Sequence, residues 1–127
     1  MKVHVIEPQA LFASVLGGIF AEVGLEVERV SKDADFRELL SEQPALIFLD
    51  ADFVSQEPLR LVSLLRALLP KTSIAVYTGQ RTCQWAKAVC ASGANAVFSK
   101  SAAREEIIDG LRELLETGAY TDVRLRG

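Results

Sequence analysis

Basic residues are in short supply. Fourteen Lys and Arg stand against seventeen Asp and Glu, giving a net charge of −3 and a pI near 5.2. A nucleic-acid-binding surface normally carries a basic excess, so no direct nucleic-acid binding is expected of this domain. DNA binding by a further attached domain stays open. Long apolar runs are also missing. The charge-free, mostly apolar stretch Ala10 to Ala21 has 12 residues, whereas a bilayer span needs about 20. With Lys2 ahead of it the N-terminus loosely resembles a signal peptide, but Glu7-Pro8 interrupts that pattern. Neither export nor a membrane span is expected. Cysteine is scarce: Cys83 and Cys90 are seven apart in a helix-like segment. Their Cα atoms would lie roughly 10 Å apart on a helix, beyond disulfide reach. Two reduced thiols used for packing suit a cytoplasmic protein. Internal repeats, low-complexity segments and long linkers are missing as well.

What is present is a core. Half of the 127 residues are hydrophobic and 24% are charged, which predicts one packed domain. Leu46-Ile47-Phe48-Leu49 is an unbroken apolar run that ends on Asp50, bounded by Gln43-Pro44 and Ser55-Gln56-Glu57-Pro58. Such a run suits a strand buried on both faces. Asp50 then sits at the edge of a dry core.

The rest of the chain alternates in the same way. Val3 to Ile6 reads as a strand and Gln9 to Val23 as a helix ended by Gly24. Leu25 to Val30 alternates apolar and charged, like an edge strand. Ser31 is the expected N-cap of a second helix reaching Leu40, with Phe36, Leu39 and Leu40 inward. Pro58 opens a third helix carrying Leu59, Val62, Leu65 and Leu69, and Pro70 closes it. Ser73 to Tyr77 is a strand, Arg81 to Ser92 a helix stopped by Gly93, and Ala94 to Phe98 a strand. Ala102 to Thr117 is the last helix. Five strand–helix repeats require an α/β fold, a mostly parallel sheet with helices on both faces. The expected domain spans residues 1–117. Residues 118–127 lack apolar periodicity and read as a C-terminal tail or the start of a linker to a further effector domain.

Ligands of open parallel sheets gather beyond the carboxyl ends of the strands. Those ends carry Glu7, then Asp50 and Asp52, then Thr78, then Lys100. Carboxylates brought together repel unless a cation lies between them. Lys100 supplies one charge, and Mg²⁺, a hard cation that takes carboxylates, water and phosphate oxygens, supplies two. An Asp so placed can attack a phosphoryl group, with a hydroxyl and an ammonium receiving the new oxygens. His4, inside a strand, reads as a structural histidine.

These residues together resemble the receiver domain of bacterial two-component response regulators, over nearly the whole chain. Phe48-Leu49-Asp50 matches the phosphoacceptor motif. Val76-Tyr77-Thr78-Gly79 matches the switch hydroxyl, and Lys100 after Phe98-Ser99 matches the family lysine. Leu11-Phe12, the segment Leu64 to Pro70 and Gly118-Ala119-Tyr120 are similar to the branch that carries a LuxR/NarL-type helix-turn-helix. The resemblance implies a flavodoxin-like, five-stranded sheet of order 2-1-3-4-5 with five helices. It also implies phosphorylation of Asp50 by a histidine kinase or phosphotransfer protein, with transcription regulation as an output. Mg²⁺ would be held by Glu7, Asp50 and the carbonyl of Asp52, whose side chain tunes phosphate lifetime in the family. Thr78 and Lys100 would hold the phosphate, and the change would be read at the face of helix four, strand five and helix five.

Departures from the family pattern point to a weakened metal site. The family usually has two adjacent acids after strand one, and this chain has Glu7-Pro8. Proline has no side-chain ligand to offer. The usual switch aromatic position is Val97, with Phe98 beside it as the substitute. Pro8 therefore keeps an alternative in play: a pseudo-receiver that works as a protein-protein interaction or dimerisation module without phosphorylation. A small enzyme or nucleotide binder on the same kind of sheet is a third reading. It lacks support, because Glu7-Pro8-Gln9-Ala10 offers no Gly-rich phosphate loop. Helix one has no charge between Glu7 and Glu22. Phe12, Leu16, Ile19 and Val23 are expected to face the sheet, leaving Leu11, Val15 and Gly18 outward. Leu11 and Val15, with Trp85 on helix four, form the candidate partner surface for a phosphodonor or a homodimer.

Overall fold

The computed structural model describes residues 1–127. Six parallel strands form one sheet of order β2-β1-β3-β4-β5-β6. They are β1 (Lys2–Ile6), β2 (Glu26–Ser31), β3 (Leu46–Asp50), β4 (Ser73–Thr78), β5 (Ala96–Ser99) and β6 (Tyr120–Thr121). The helices are α1 (Ala10–Glu22), α2 (Phe36–Glu42), α3 (Pro58–Leu68), α4 (Cys83–Ala91) and α5 (Arg104–Thr117). This is the flavodoxin-like order expected, with one short strand added. No helix is long and apolar enough to cross a membrane.

β3 is buried at all five positions, as its unbroken apolar run requires. The two-residue period of a strand sends alternate side chains to opposite faces. Phe48 and Leu46 join Val3, Val5, Ala75, Tyr77, Ala96 and Phe98 on the α1/α5 side. Ile47 and Leu49 join Ile6, Ile74, Val76 and Val97 on the side of α2, α3 and α4. Aromatic rings run across the first face. Phe48 meets Phe20 at 5.1 Å, Tyr77 at 5.5 Å and Phe98 at 5.4 Å, and Phe98 meets Tyr120 at 5.0 Å between centroids.

Three local expectations are corrected. Ser31 does not cap α2. It extends β2 opposite Ile6, and Asp35 caps the helix, its carboxylate accepting from Glu38 N–H at 3.1 Å. Adjacent residues on a helix point about 100° apart, and here Leu39 is buried and Leu40 is exposed. In α1, Phe20 enters the core with Ala13, Leu16 and Ile19, and Phe12 stays partly exposed at the rim toward α5. A helix without charges gives the sequence no polar face from which to set its rotation.

Residues 118–127 are not a free segment. Tyr120 and Thr121 pair with Ala96 and Val97 of β5, and Leu125, in the 3-10 turn Val123–Leu125, is buried beside α4. Gly110 of α5 makes the room. A Cβ there would come within 2.6 Å of the Tyr120 ring and 2.8 Å of Phe98.

The single histidine has a structural place. His4 is buried, with Nε2 at 3.0 Å from a Glu28 oxygen of β2 and 2.7 Å from a Glu42 oxygen of α2. Lys2 also pairs with Glu28, and Arg29 with Glu38 and Glu42. The group ties the edge strand and α2 to β1 with its charges nearly balanced.

Candidate functional site

The parallel register brings the strand ends to one edge. Ile6 lies beside Leu49, Asp50 beside Tyr77, and Thr78 beside Ser99. The next residues out, Glu7 and Lys100, therefore flank Asp50 and Thr78. Five expected residues, Glu7, Asp50, Asp52, Thr78 and Lys100, are brought together here.

Asp50 is 1% exposed. Its Oδ1 accepts from Asp52 N–H at 2.9 Å. The Lys100 ammonium donates to both its oxygens, at 2.8 and 2.9 Å, and also lies 3.2 Å from an Asp52 oxygen. Burial works against a charge on Lys100, but the two carboxylates outweigh it and its pKa is raised. The rings of Phe53 and Tyr77 lie 4.5 and 5.3 Å from the ammonium, adding attraction from their π faces.

Asp52 turns into the site. Its Oδ1 accepts from the Thr78 hydroxyl and its Oδ2 from Gly79 N–H, both at 2.7 Å. Burial alone would raise its pKa, yet these donors and Lys100 hold it below the usual value. The Arg81 guanidinium is 3.9 Å away. Gly79 is close-fitting, since a Cβ there would stand 3.2 Å from the Lys100 stem.

Glu7 is the strained member. It is 2% exposed, and its Oε2 accepts from Gln9 N–H at 3.0 Å. Its Oε1 is buried with no hydrogen-bond partner. Burial first, and the neighbouring Asp50 carboxylate second, push its pKa up to about 7. A carboxylic acid whose folded pKa is raised binds its proton more tightly when folded. Its contribution is fully present below pH 4.5 and is lost as pH rises through about 7. In EDTA-treated protein, Glu7→Gln should therefore gain about 1–3 kcal/mol over the wild type between pH 5 and pH 8. Urea denaturation at the two pH values reads this directly. A constant difference would place Glu7 in contact with water.

The unpartnered Glu7 oxygen beside the Asp50 carboxylate suits a hard dication, because a cation would satisfy both without a proton. Glu7 and Asp50 are the side chains that would hold it, and Pro8 adds none. The donor set fits Mg²⁺ with one carboxylate fewer than two adjacent acids would provide.

The remaining candidates lie elsewhere. Phe98 is buried in the ring stack on the α1/α5 face of the sheet. Leu11 is 76% exposed on α1, and Val15, also exposed, stands at the edge of the α1/α5 groove. An apolar hollow lined by Phe12, Val15, Ile19, Tyr77 and Ile107 lies between α1 and α5. Trp85 is half-buried against the α4 core with the Arg81 guanidinium 5.0 Å over its ring. The Asp52 carboxylate, Gly79 N–H and Phe53 ring were not legible as partners. The one available signal was Asp52 standing two residues after Asp50 at a strand end.

A family model described as response regulator receiver domain matches residues 3–112. No curated protein sequence matches the chain. Among solved structures, the isolated receiver domain of RcsB from Salmonella enterica serovar Typhimurium, determined with the phosphomimetic BeF3−, superposes with a TM-score of 0.83. It has 14% identity, over 98% of this chain and 95% of that one. A LuxR family DNA-binding response regulator from Silicibacter pomeroyi gives 0.78 at 20% identity, covering 98% of each chain. The signal receiver domain of the putative response regulator NarL from Mycobacterium tuberculosis gives 0.78 at 18%, covering 91% and 96%. At these identities the likeness is one of fold.

Proposed function

The chain belongs to the response regulator receiver domain family, and from that premise we propose that it is a phosphorylation-controlled signalling module with Asp50 as phosphoacceptor. The family consists of signalling modules rather than enzymes in general. The observation that carries the proposal is the Asp50 carboxylate itself, buried at the carboxyl end of β3 with an ammonium across both its oxygens. An Asp50 oxygen attacks the phosphorus of a phosphohistidine on a histidine kinase or phosphotransfer protein. The P–N bond breaks, the imidazole nitrogen keeps the electron pair, and an acyl phosphate forms. Lys100 stays within reach of the new phosphoryl oxygens, and Thr78 and Gly79 N–H line the same edge. Mg²⁺, when bound by Glu7 and Asp50, supplies positive charge to the crowded oxygens. Helix α1, with Leu11 and Val15 exposed, is the proposed docking face for the phosphodonor or a second copy. Control of transcription through a LuxR-type DNA-binding partner domain is the proposed output.

The test uses the chain with millimolar Mg²⁺ and a small-molecule phosphodonor or beryllofluoride, followed by mass spectrometry and amide shifts. Modification and shifts near Asp50 are expected, and Asp50→Asn should abolish both. Pro8→Asp should strengthen the response on the order of tenfold or more, because one carboxylate near a dication is worth several kcal/mol before desolvation. A response that survives Asp50→Asn would place the site elsewhere. No response in the wild type, restored by Pro8→Asp, would show that the natural chain works without phosphate.

A further inference from the structure

We propose that Asp52 is a built-in anion for the phosphate cradle. Its carboxylate takes the hydroxyl, amide and ammonium donors that a phosphoryl group on Asp50 would use, and holds Thr78 turned inward before any phosphate arrives. This rests on Asp50 as the acceptor.

The donors can be counted. The Thr78 hydroxyl has one proton, and it goes to Asp52 Oδ1 at 2.7 Å. Its orientation is fixed from behind, because Thr78 Oγ1 accepts from Gln80 N–H at 3.3 Å. Gly79 has one N–H, and it goes to Asp52 Oδ2 at 2.7 Å. Lys100 bridges the two carboxylates, 2.8 Å from Asp50 and 3.2 Å from Asp52. The remaining backbone donor, Asp52 N–H, is on Asp50. The Asp52 side chain is 2% exposed, so it is seated in the cradle and is not a loop charge lying over it.

Three donors of this kind around one buried anion form an oxyanion-type cradle. A phosphoryl group on Asp50 brings terminal oxygens to the same space, next to a carboxylate of the same sign. It must push Asp52 out or share Lys100 with it. Two consequences follow. The free chain already carries the inward Thr78 that an anion in the cradle selects. Loading of Asp50 is also weaker than the cradle's donors alone would give, because those donors are already filled.

The experiment uses the isotope-labelled full chain at fixed Mg²⁺. It compares wild type, Asp52→Ala and Asp52→Asn by amide and methyl NMR, first alone and then titrated with beryllofluoride. Without beryllofluoride, Asp52→Ala should shift the Gly79 amide and Thr78 methyl signals, since both groups lose a partner. With it, those signals should return toward their wild-type positions. Its apparent affinity should rise about tenfold or more on removal of a like charge from the site. Asp52→Asn keeps the shape and one acceptor but loses the charge, so it should gain affinity with little shift. It carries the affinity test if the alanine variant folds poorly. Unmoved Gly79 and Thr78 signals in Asp52→Ala, or an affinity that stays the same or falls in both variants, would overturn the proposal. The shifts without beryllofluoride test the cradle alone. Loading that persists when Asp50→Asn is added to Asp52→Ala would instead refute Asp50 as acceptor and leave the cradle result standing.

Discussion

Lys100→Met is expected to destabilise the chain by about 2–4 kcal/mol at pH 8, somewhat less than removing one partner of a fully buried ion pair. The Lys100 side chain is 17% exposed and the Asp50 and Asp52 side chains 1% and 2%. The cation is partly hydrated while the anions are not. Its loss leaves Asp50 with one backbone donor, and Glu7 beside it. Met keeps the stem that packs beside Gly79, so the deficit reports charge rather than volume. Acid should relieve it, because protons can replace the missing ammonium. At pH 5 the gap between variant and wild type should shrink. Asp50→Asn in the Lys100→Met background should recover part of the loss, which a double-mutant cycle by urea denaturation measures. A cost below about 1 kcal/mol with no pH dependence would mean that water already screens these carboxylates.

Arg66→Ala is expected to cost about 2–4 kcal/mol, or a fall in Tm of about 10 °C for a domain of this size. Arg66 sits in the last turn of α3 and donates to Leu69, Pro70 and Thr72 carbonyls at 3.1, 3.2 and 2.9 Å. It also reaches the Gly93 carbonyl at 3.1 Å and the Asn95 side-chain oxygen at 2.6 Å. One guanidinium thus satisfies the end of α3, the turn into β4 and the turn into β5. Asn95 carries the connection on to Ile74 N–H. Gly93, at φ +127°, must be glycine for two reasons. Its backbone is left-handed, and a Cβ would lie 2.6 Å from the Arg66 Cβ. Arg66→Lys should recover less than half of the loss, since an ammonium lacks the planar fork that reaches several carbonyls at once. Calorimetry on the three proteins decides it. Full recovery by lysine would show that charge near the helix end, not the fork, is what matters.

The Arg66 network could not be read from one sequence. Arg66 stands between apolar residues of α3, and its acceptors lie up to 29 residues away. The sequence places Phe12 with Leu16 and Ile19 on the sheet side of α1, and Phe12 stays 41% exposed, because a helix with no charged residue has no polar stripe to orient it. The start of α2 was misplaced because Ser31 and Asp35 are both competent caps. Pairing of Ser31 with Ile6 in the sheet decided between them. The docking of residues 120–125 was hidden for a related reason. Two strand residues and a 3-10 turn are too short for a period, and their partner is a sheet edge.

Strand ends are different. Alternation of apolar runs with helices forces a parallel sheet, and a parallel sheet forces the ends of its strands to one side. Glu7, Asp50, Thr78 and Lys100 could be gathered to one side from the sequence for that reason alone, whereas the strand order came from the resemblance to receiver domains. Direction and protonation could not. Asp52 faces Thr78, Gly79 and Lys100, and Glu7 sits beside Asp50 with one oxygen unpartnered. Those facts depend on burial and on distances of a few tenths of an ångström. Chain order carries the parallel sheet because the alternation of strands and helices follows from periodicity. It does not carry which donor meets which acceptor, because electrostatics in a dry pocket depends on where every neighbouring charge finally lies.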